Sequence, residues 1–315
     1  MPDLQALVRA ACLVLAVTCT AGAAACTTAS SQPTATVPGS RAAITVGSFN
    51  FPESVLLAYL YADALAAKGY PVRVLPDLGT RELVDPALME GLVQLVPEYT
   101  GAALEFVSLG RVNATASVTA TASALARSMA VRGLVTGRPA AAQDGNAIVV
   151  TAATAARYRL RTISDLAKVA GRLIFGGPPE CVENLSCLPG LKLVYGLRFR
   201  KFVPLDSGGP LTRQALVAGD ISVALLFTTD PAIRAQHLVV LTDNRGLQPA
   251  ENVVPVLRRA TVNRFGAGLL AALNAVAARL STAALTALDT QVELDDRSPR
   301  TVAERWLRVQ GLETR

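Results

Sequence analysis

One segment design occurs twice in this chain, and it constrains the fold more than any other feature of the sequence. Residues 91–100 and 219–228 each contain a glycine, an apolar stretch that predicts a β-strand, an aromatic residue and a threonine. The aromatic residues are Tyr99 and Phe227, and a Pro-Glu pair precedes them by 46 and 47 residues, respectively. The repeat predicts two lobes of one architecture, although a glycine before a strand also recurs by chance in α/β proteins.

Short apolar runs alternate with helical patterns along the chain, which is typical of parallel βαβ units. We therefore predict an α/β protein whose first lobe covers residues 44–142 and 232–315 and whose second lobe covers residues 143–231. Open α/β sheets bind ligands outside the carboxyl ends of their strands. Tyr99 and Phe227 are thus expected to face a cleft between the lobes; the alternative is that they fill the cores.

The amino terminus predicts export. Residues 10–25 are apolar, follow Arg9 and are too short to span a membrane, so residues 1–25 are interpreted as a signal peptide. Small residues precede Cys26, as at the processing site of bacterial lipoproteins, and Cys26 is expected to carry a lipid. Residues 26–43 are rich in Ser, Thr, Ala and Pro and predict a flexible tether. We expect the folded part to work at the outer face of the cell membrane without spanning it.

Two cysteines, Cys181 and Cys187, remain for the folded part, because Cys12 and Cys19 fall within the predicted signal peptide. An exported chain can oxidise this pair, and a disulfide is the favoured interpretation. A metal site or two free thiols are the alternatives, but His237 is the only histidine that could complete a metal site. We expect no metal and no cofactor.

The composition is that of a globular chain. It is 51% hydrophobic and 17% charged, which is sufficient for one large core or two medium ones. The net charge of +6 is scattered, and residues 198–201 form the densest basic run. Nucleic acid is not an expected partner, because there is no basic stripe and only 5% of the residues are aromatic. A solvated face with some attraction to anionic headgroups explains the charge better.

An enzyme has to be considered, because residues 206–210 read Asp-Ser-Gly-Gly-Pro and copy most of the serine signature of trypsin-like proteases. A nucleophilic Ser207 would need a base, but the only histidine, His237, follows the serine and lies outside any motif. We interpret the glycines as a sharp turn that begins a helix, and we expect no enzyme. Several predicted helices begin after Ser, Thr or Gly, where free backbone N–H groups can bind an anion, so binding is the predicted chemistry.

Six motifs resemble those of one known family, the substrate-binding lipoproteins of osmoprotectant ABC importers, and of its actinobacterial branch in particular. They are GSFNFPES (47–54), LGTRE (78–82), PEYTG (97–101), GGPPEC (176–181), LDSGGPL (205–211) and LFTTD (226–230). The resemblance extends over about residues 44–307. It implies a bilobal periplasmic-binding-protein fold of type II, with two crossovers. It also implies a monomer that closes over glycine betaine, choline, carnitine or a similar solute and delivers it to a permease and an ATPase.

Members of this family surround the ligand's ammonium group with four tyrosines, and the resemblance assigns the pocket residue by residue. Tyr99 matches one tyrosine and Phe227 replaces a second, whereas the other two positions fall near Glu82 and Leu188. Glu82 is therefore expected beside a positive group of the ligand. The further predicted contacts are the polar side chains Asn50, Thr80 and Thr228, and Arg81 for a ligand carboxylate.

Three alternatives to an osmoprotectant receptor remain open on the sequence. The same fold could bind a different small molecule, such as an aromatic or polyphenol-like compound. A hydrolase that uses Ser207 is the alternative from another class. A purely structural lipoprotein is the third, and it predicts no change in stability when a solute is added.

Overall fold

Two five-stranded sheets organise the chain, which a computed structural model describes for residues 43–313. The predicted signal peptide, Cys26 and the predicted tether up to residue 42 lie outside the described residues. The strands are β1 (Ile44–Gly47), β2 (Val72–Leu75), β3 (Leu95–Tyr99), β4 (Leu134–Thr136), β5 (Asn146–Thr151), β6 (Ile174–Gly177), β7 (Lys201–Pro204), β8 (Val223–Phe227), β9 (Leu238–Val240) and β10 (Val253–Arg258).

Helices flank both sheets. They are α1 (Pro52–Ala66), α2 (Arg81–Glu90), α3 (Thr100–Ser108), α4 (Val118–Ala130), α5 (Ala152–Tyr158), α6 (Leu188–Tyr195), α7 (Pro210–Ala218), α8 (Ala232–Ala235), α9 (Arg259–Phe265), α10 (Gly268–Ala277), α11 (Thr282–Glu293) and α12 (Pro299–Val309). Short 3₁₀ helices cover Ile163–Lys168, Ala170–Arg172 and Pro179–Val182.

The two sheets have the same plan. The strand order is β2-β1-β3-β10-β4 in the first sheet and β7-β6-β8-β5-β9 in the second. In each sheet the first three strands are parallel and the fourth is antiparallel to both of its neighbours. Strand β3 of one lobe therefore corresponds to β8 of the other. This arrangement confirms the two-lobed α/β fold with mixed sheets that the sequence repeat predicted.

The chain returns to the first lobe later than we predicted. Strand β9 pairs with β5 of the second sheet, with Val239 opposite Val150. The segment from residue 232 to β9 therefore belongs to the second lobe, and the return falls between β9 and β10. The boundary after Pro231 was wrong because α8 and β9 are four and three residues long, too short to show a helical or strand period in the sequence.

The core of the first lobe forms around α1. Pro52 is the first residue of this helix and Glu53 lies in its first turn, a composition that favours a helix start at this point. Leu56, Leu60 and Tyr61 are fully buried in one hydrophobic cluster with residues of α10, α11 and α12. These C-terminal helices thus complete the lobe to which the N-terminal strands belong.

Within residues 43–313 no single helix is both long enough and apolar enough to cross a membrane. The helices α10 and α11 meet the requirement only when taken together, as a pair bent by 85°. Leu269 and Leu273 of α10 and Leu285 of α11 are buried in the core of the first lobe.

Candidate functional site

A cavity of about 420 Å³ lies where β3 and β8 end. Tyr99 is the last residue of β3 and Phe227 is the last residue of β8, and both line this cavity. Residues from the loop after β1 line it too, among them Phe49 and Asn50. The repeated strands of the two lobes thus bring their terminal aromatic residues to one cleft, as expected from the position of ligand sites in α/β sheets.

Aromatic rings from both lobes meet in this cleft. The ring centroid of Phe51 lies 6.1 Å from that of Tyr99 and 5.4 Å from that of Phe227. The ring of Phe49 stacks on that of Phe51 at a centroid distance of 5.9 Å. Phe51 was not among the predicted site residues, although it stands within the GSFNFPES motif beside Asn50. Its ring adds an aromatic wall to the two that were predicted, and such faces attract cations.

Acidic side chains outnumber basic ones around the cavity. Within the part of the chain that the structure describes, one basic residue lines it, Arg81, against six carboxylic residues: Glu82, Glu105, Asp144, Glu180, Glu183 and Glu251. Arg81 is itself paired, because it donates from Nε and Nη2 to the two carboxylate oxygens of Glu98 at 3.1 and 3.0 Å. Its guanidinium also lies 4.9 Å from the ring centroid of Phe49. The cavity is therefore suited to a positively charged guest.

Glu251 and Glu105, which line the cavity, both accept hydrogen bonds. The backbone N–H groups of Gly101 and Ala102, in the first turn of α3, donate to Glu251 Oε2 at 2.9 and 3.1 Å. Burial outweighs these bonds and raises the pKa of Glu251 to about 8. Ser186 Oγ donates to Glu105 Oε2 at 3.1 Å, and burial raises the pKa of this carboxyl as well.

A buried carboxyl cluster lies behind Tyr99. Glu53 accepts hydrogen bonds from the Tyr99 hydroxyl at 2.5 Å and from the Thr229 hydroxyl at 2.6 Å. Asp144 accepts the Thr229 N–H at 3.0 Å, and Asp289 lies beside Glu53 with no N–H or hydroxyl donor among the described residues. Burial, followed by the nearby carboxyls, raises the pKa values of Asp144 and Asp289 well above the usual range. The cluster therefore retains protons that exposed acids would have lost.

The structure brings six of the seven predicted ligand contacts together. Those that line the cavity are Asn50, Thr80, Arg81, Glu82, Tyr99 and Phe227. Thr228 does not line it: its Oγ1 accepts the Gly145 N–H at 3.0 Å and donates to Asp144 Oδ1 at 3.2 Å. Thr228 thus joins two chain segments near the lobe crossing. Leu188 also lies outside the lining, whereas Leu185 and Cys187 belong to it.

The protease-like motif has a structural explanation. Asp206 accepts the backbone N–H groups of Leu211 and Thr212 at 2.9 and 2.8 Å and so caps the start of α7. Ser207 lines the cavity, whereas His237 is exposed and does not line it. The structure therefore does not bring the two residues together at the cleft, as a serine nucleophile and its base would need to be.

The cleft wall also contains a disulfide. Cys181 follows the Pro-Glu pair in the 3₁₀ helix Pro179–Val182, and Cys187 immediately precedes α6. The structure joins the two sulfur atoms, and both cysteines line the cavity. The bond ties the loop between them to the cleft wall.

Two lobes of matching topology with a ligand-sized, aromatic and acidic cleft between them define a bilobal solute-binding protein. Residues 42–309 match the family described as the substrate binding domain of the ABC-type glycine betaine transport system, and the chain belongs to this family. It is thus the substrate-binding component of a transport system and not a member of an enzyme family.

Two curated relatives, both glycine betaine-binding proteins, match this chain over most of their length. The chain is 26% identical over 278 residues to the glycine-betaine-binding protein of Pseudomonas aeruginosa, covering 85% of this chain and 88% of that protein. It is 24% identical over 277 residues to the glycine betaine-binding protein YehZ of Escherichia coli, covering 85% and 90%.

Solved structures agree with the fold. The crystal structure of a glycine betaine/carnitine/choline ABC transporter protein superposes with a TM-score of 0.69 at 21% identity, covering 85% of this chain and 99% of that one. An ABC-transporter choline-binding protein in complex with choline superposes with a TM-score of 0.63 at 16% identity, covering 86% and 90%.

Proposed function

We propose that this protein captures a quaternary-amine osmoprotectant, such as choline or glycine betaine, between its lobes and delivers it to an ABC importer. The observation that carries the proposal is the aromatic surface of Phe51, Tyr99 and Phe227, which is drawn from both lobes and has centroid separations of 5.4 and 6.1 Å. A trimethylammonium group is apolar in surface and positive in charge. Aromatic faces satisfy both properties at once.

The acids of the cavity support a cation as the guest. Six carboxylic residues line it, and its one arginine already binds Glu98. A bound ammonium would be attracted by Glu82 and by the ionised forms of Asp144 and Glu251. We predicted that Arg81 contacts a ligand carboxylate. Such a carboxylate would have to compete with Glu98 for the Arg81 guanidinium. A solute with a hydroxyl therefore fits at least as well as one with a carboxylate.

Anchoring and delivery complete the proposed role. Lipidated Cys26 and the tether of residues 26–43 would hold a monomer at the outer face of the cell membrane. Closure of the lobes over the solute would present it to a permease that an ATPase drives. The proposal assigns no catalytic step to Ser207, and no cofactor.

A ligand screen with a neutral control of the same shape tests the proposal. Choline, glycine betaine and carnitine would be added to residues 27–315 and the melting temperature recorded, since a ligand at about 100 times its dissociation constant stabilises a protein by about 2.7 kcal/mol. The control is 3,3-dimethyl-1-butanol, which has the shape of choline without its charge. We expect choline to stabilise the protein and the neutral compound to bind at least about 10-fold more weakly.

Other results of the screen would contradict the proposal. Equal binding of choline and its neutral analogue would show that the charge has no role. If no quaternary amine raised the melting temperature but an aromatic compound did, the protein would bind a different solute. Turnover of an ester substrate that is lost in Ser207→Ala would favour a hydrolase.

A further inference from the structure

A second cavity, of about 610 Å³, opens on the first lobe and is lined by arginines. Arg73 comes from β2, Arg258 is the last residue of β10, and Arg264 lies in α9. Ala43, Thr45, Gly91 and Gln94 also line it. We call this the arginine cavity; within residues 43–313 no acidic residue lines it.

The arginine cavity lies at the edge of the sheet opposite the solute cleft. Thr45 is near the beginning of β1 and Gln94 immediately precedes β3, so both mark the amino ends of parallel strands. Tyr99, at the carboxyl end of β3, faces the solute cleft instead. Among residues 43–313 the two cavities share no lining residue, so each can be altered without touching the other.

The charges of the arginine cavity are not neutralised within the described part of the chain. None of its three guanidinium groups is within ion-pair distance of a carboxylate among residues 43–313. Arg73 Nε donates to Thr45 Oγ1 at 2.7 Å, which fixes one arginine at the wall. Three unneutralised guanidinium groups around one cavity repel each other, and an oxyanion between them would relieve that repulsion.

A glycine makes room for the second of these arginines. The guanidinium of Arg258 packs directly against Gly91, where any side chain would collide with Nη1. Gly91 has a φ of +89°, in the left-handed region that glycine adopts at no steric cost. The end of α2 therefore leaves space for Arg258 at the cavity wall.

We propose that the arginine cavity binds the phosphate of an anionic phospholipid headgroup and so seats the first lobe on the membrane. Guanidinium groups donate in a planar fork that matches phosphate oxygens. The position favours a lipid, because Ala43, the last residue of the predicted tether, lines the cavity. A flexible chain of the length of residues 27–43 has a root-mean-square span of about 20–25 Å, so a lipidated Cys26 would keep this face close to the headgroups.

Vesicle binding tests the proposal with residues 27–315, which contain both sheets and their cores but no acylated cysteine. Sedimentation would compare phosphatidylcholine vesicles with vesicles that also contain phosphatidylglycerol. We expect binding to the anionic vesicles only, and a steep loss with added salt. The triple variant Arg73→Gln, Arg258→Gln, Arg264→Gln should partition about 100-fold more weakly, since each arginine at an anionic surface contributes about fivefold.

The matched control removes the same charge elsewhere. Arg127, Arg157 and Arg198 are exposed, have no carboxylate partner within residues 43–313 and do not line the arginine cavity. Their triple replacement by glutamine should weaken vesicle binding less than about fivefold. Both triple variants should keep their choline affinity and melting temperature, which separates failure of this proposal from failure of the proposed function.

Three results would overturn the proposal. Equal losses in the two triple variants would mean that only the net charge acts. Stabilisation by inorganic phosphate without vesicle binding would assign the site to a free phosphate. If the wild type did not bind vesicles and the arginine-cavity variant lost its association with the permease, the surface would be assigned to a protein partner. If the triple variant does not fold, the lysine replacements Arg73→Lys, Arg258→Lys, Arg264→Lys take its place, with weaker vesicle binding expected than in the wild type.

Discussion

The hydroxyl of Thr229 donates a hydrogen bond of 2.6 Å to Glu53 Oε2, across 176 positions of the chain. Thr229 follows β8 of the second lobe, and Glu53 lies in the first turn of α1 in the first lobe. The other oxygen of Glu53 accepts the hydroxyl of Tyr99, which lines the solute cleft. One buried carboxyl thus connects an aromatic wall of the cleft with the segment that follows the second lobe's central strand.

Thr229→Val tests the strength of this connection. Valine has the shape of threonine without the hydroxyl, so Glu53 Oε2 would lose its donor while remaining buried. We expect the free energy of unfolding to fall by about 1–3 kcal/mol, the usual cost of an unsatisfied buried polar group. Urea unfolding of the wild type and the variant measures this difference in free energy.

The control for this change is Thr286→Val in α11; among residues 43–313 the Thr286 hydroxyl bonds only to the carbonyl of Thr282 in the same helix. It should cost less than about 0.5 kcal/mol, as most substitutions away from buried networks do. Equal costs at the two positions would mean that the Glu53 bond adds no stability.

The stability of the free protein should decrease with rising pH. The pKa of Glu251 is 4.5 in an unperturbed side chain and about 8 in the folded protein, where burial opposes its ionisation. Between these values the folded chain holds a proton that the unfolded chain has released. The free energy of unfolding therefore falls as the pH rises from about 4.5 to 8, by at most about 1.4 kcal/mol per pH unit for one group.

Glu251→Gln isolates that contribution, because glutamine keeps an acceptor for the N–H groups of Gly101 and Ala102 and cannot ionise. Urea unfolding between pH 5 and pH 8 should give a flatter profile for the variant. The wild-type affinity for choline should instead increase with pH, since a bound cation favours the ionised carboxyl. If the variant showed the same pH dependence of stability as the wild type, Glu251 would not be its cause.

Phe227→Leu tests the aromatic wall of the second lobe. Leucine keeps an apolar side chain but removes the ring, so a cation would lose one face of its cage. We expect choline to bind about 10- to 30-fold more weakly by isothermal titration calorimetry. Phe202→Leu is the control, because Phe202 lies in β7 of the same sheet, is half-buried and does not line the cleft. It should reduce stability without changing affinity; a similar loss of affinity there would indicate an indirect effect.

The sequence predicted the parts of this structure that depend on local patterns. Tyr99 and Phe227 each end a central strand because a glycine, an apolar run and an aromatic residue define the same strand in both lobes. The glycines at 208 and 209 predicted a turn that begins a helix, and α7 begins at Pro210. The matching order of the two sheets follows from this repetition.

The rest depends on contacts that no local pattern contains. Glu251 reaches the cleft because its carboxylate binds the N–H of Gly101, which lies 150 positions earlier in the chain. Phe51 forms an aromatic wall because its ring lies beside Tyr99 and Phe227, which belong to two different sheets. Thr228 was predicted as a ligand contact because it follows Phe227 in the sequence. Its hydroxyl instead forms hydrogen bonds with Asp144 and Gly145.

Gly208→Ala should disturb the cleft through the ring of Phe227. Gly208 has a φ of +65°, and a Cβ at this position would lie 2.7 Å from Cδ2 and 3.0 Å from Cε2 of Phe227. The ring would have to move, and it belongs to the wall that is proposed to hold the ammonium group. We expect choline affinity to fall by up to about 10-fold, as part of the cation–π attraction is lost. The left-handed backbone adds a loss of stability of about 1–2 kcal/mol.

Gly196→Ala separates the two effects of that substitution. Gly196 has a similar φ of +71°, but apart from its chain neighbours no atom of residues 43–313 lies within 4 Å of the position that its Cβ would occupy. This variant should show the same backbone cost of about 1–2 kcal/mol in urea unfolding and an unchanged affinity for choline. If both variants lost affinity alike, backbone strain would be the cause, and the contact between Gly208 and Phe227 would have no part in shaping the cleft.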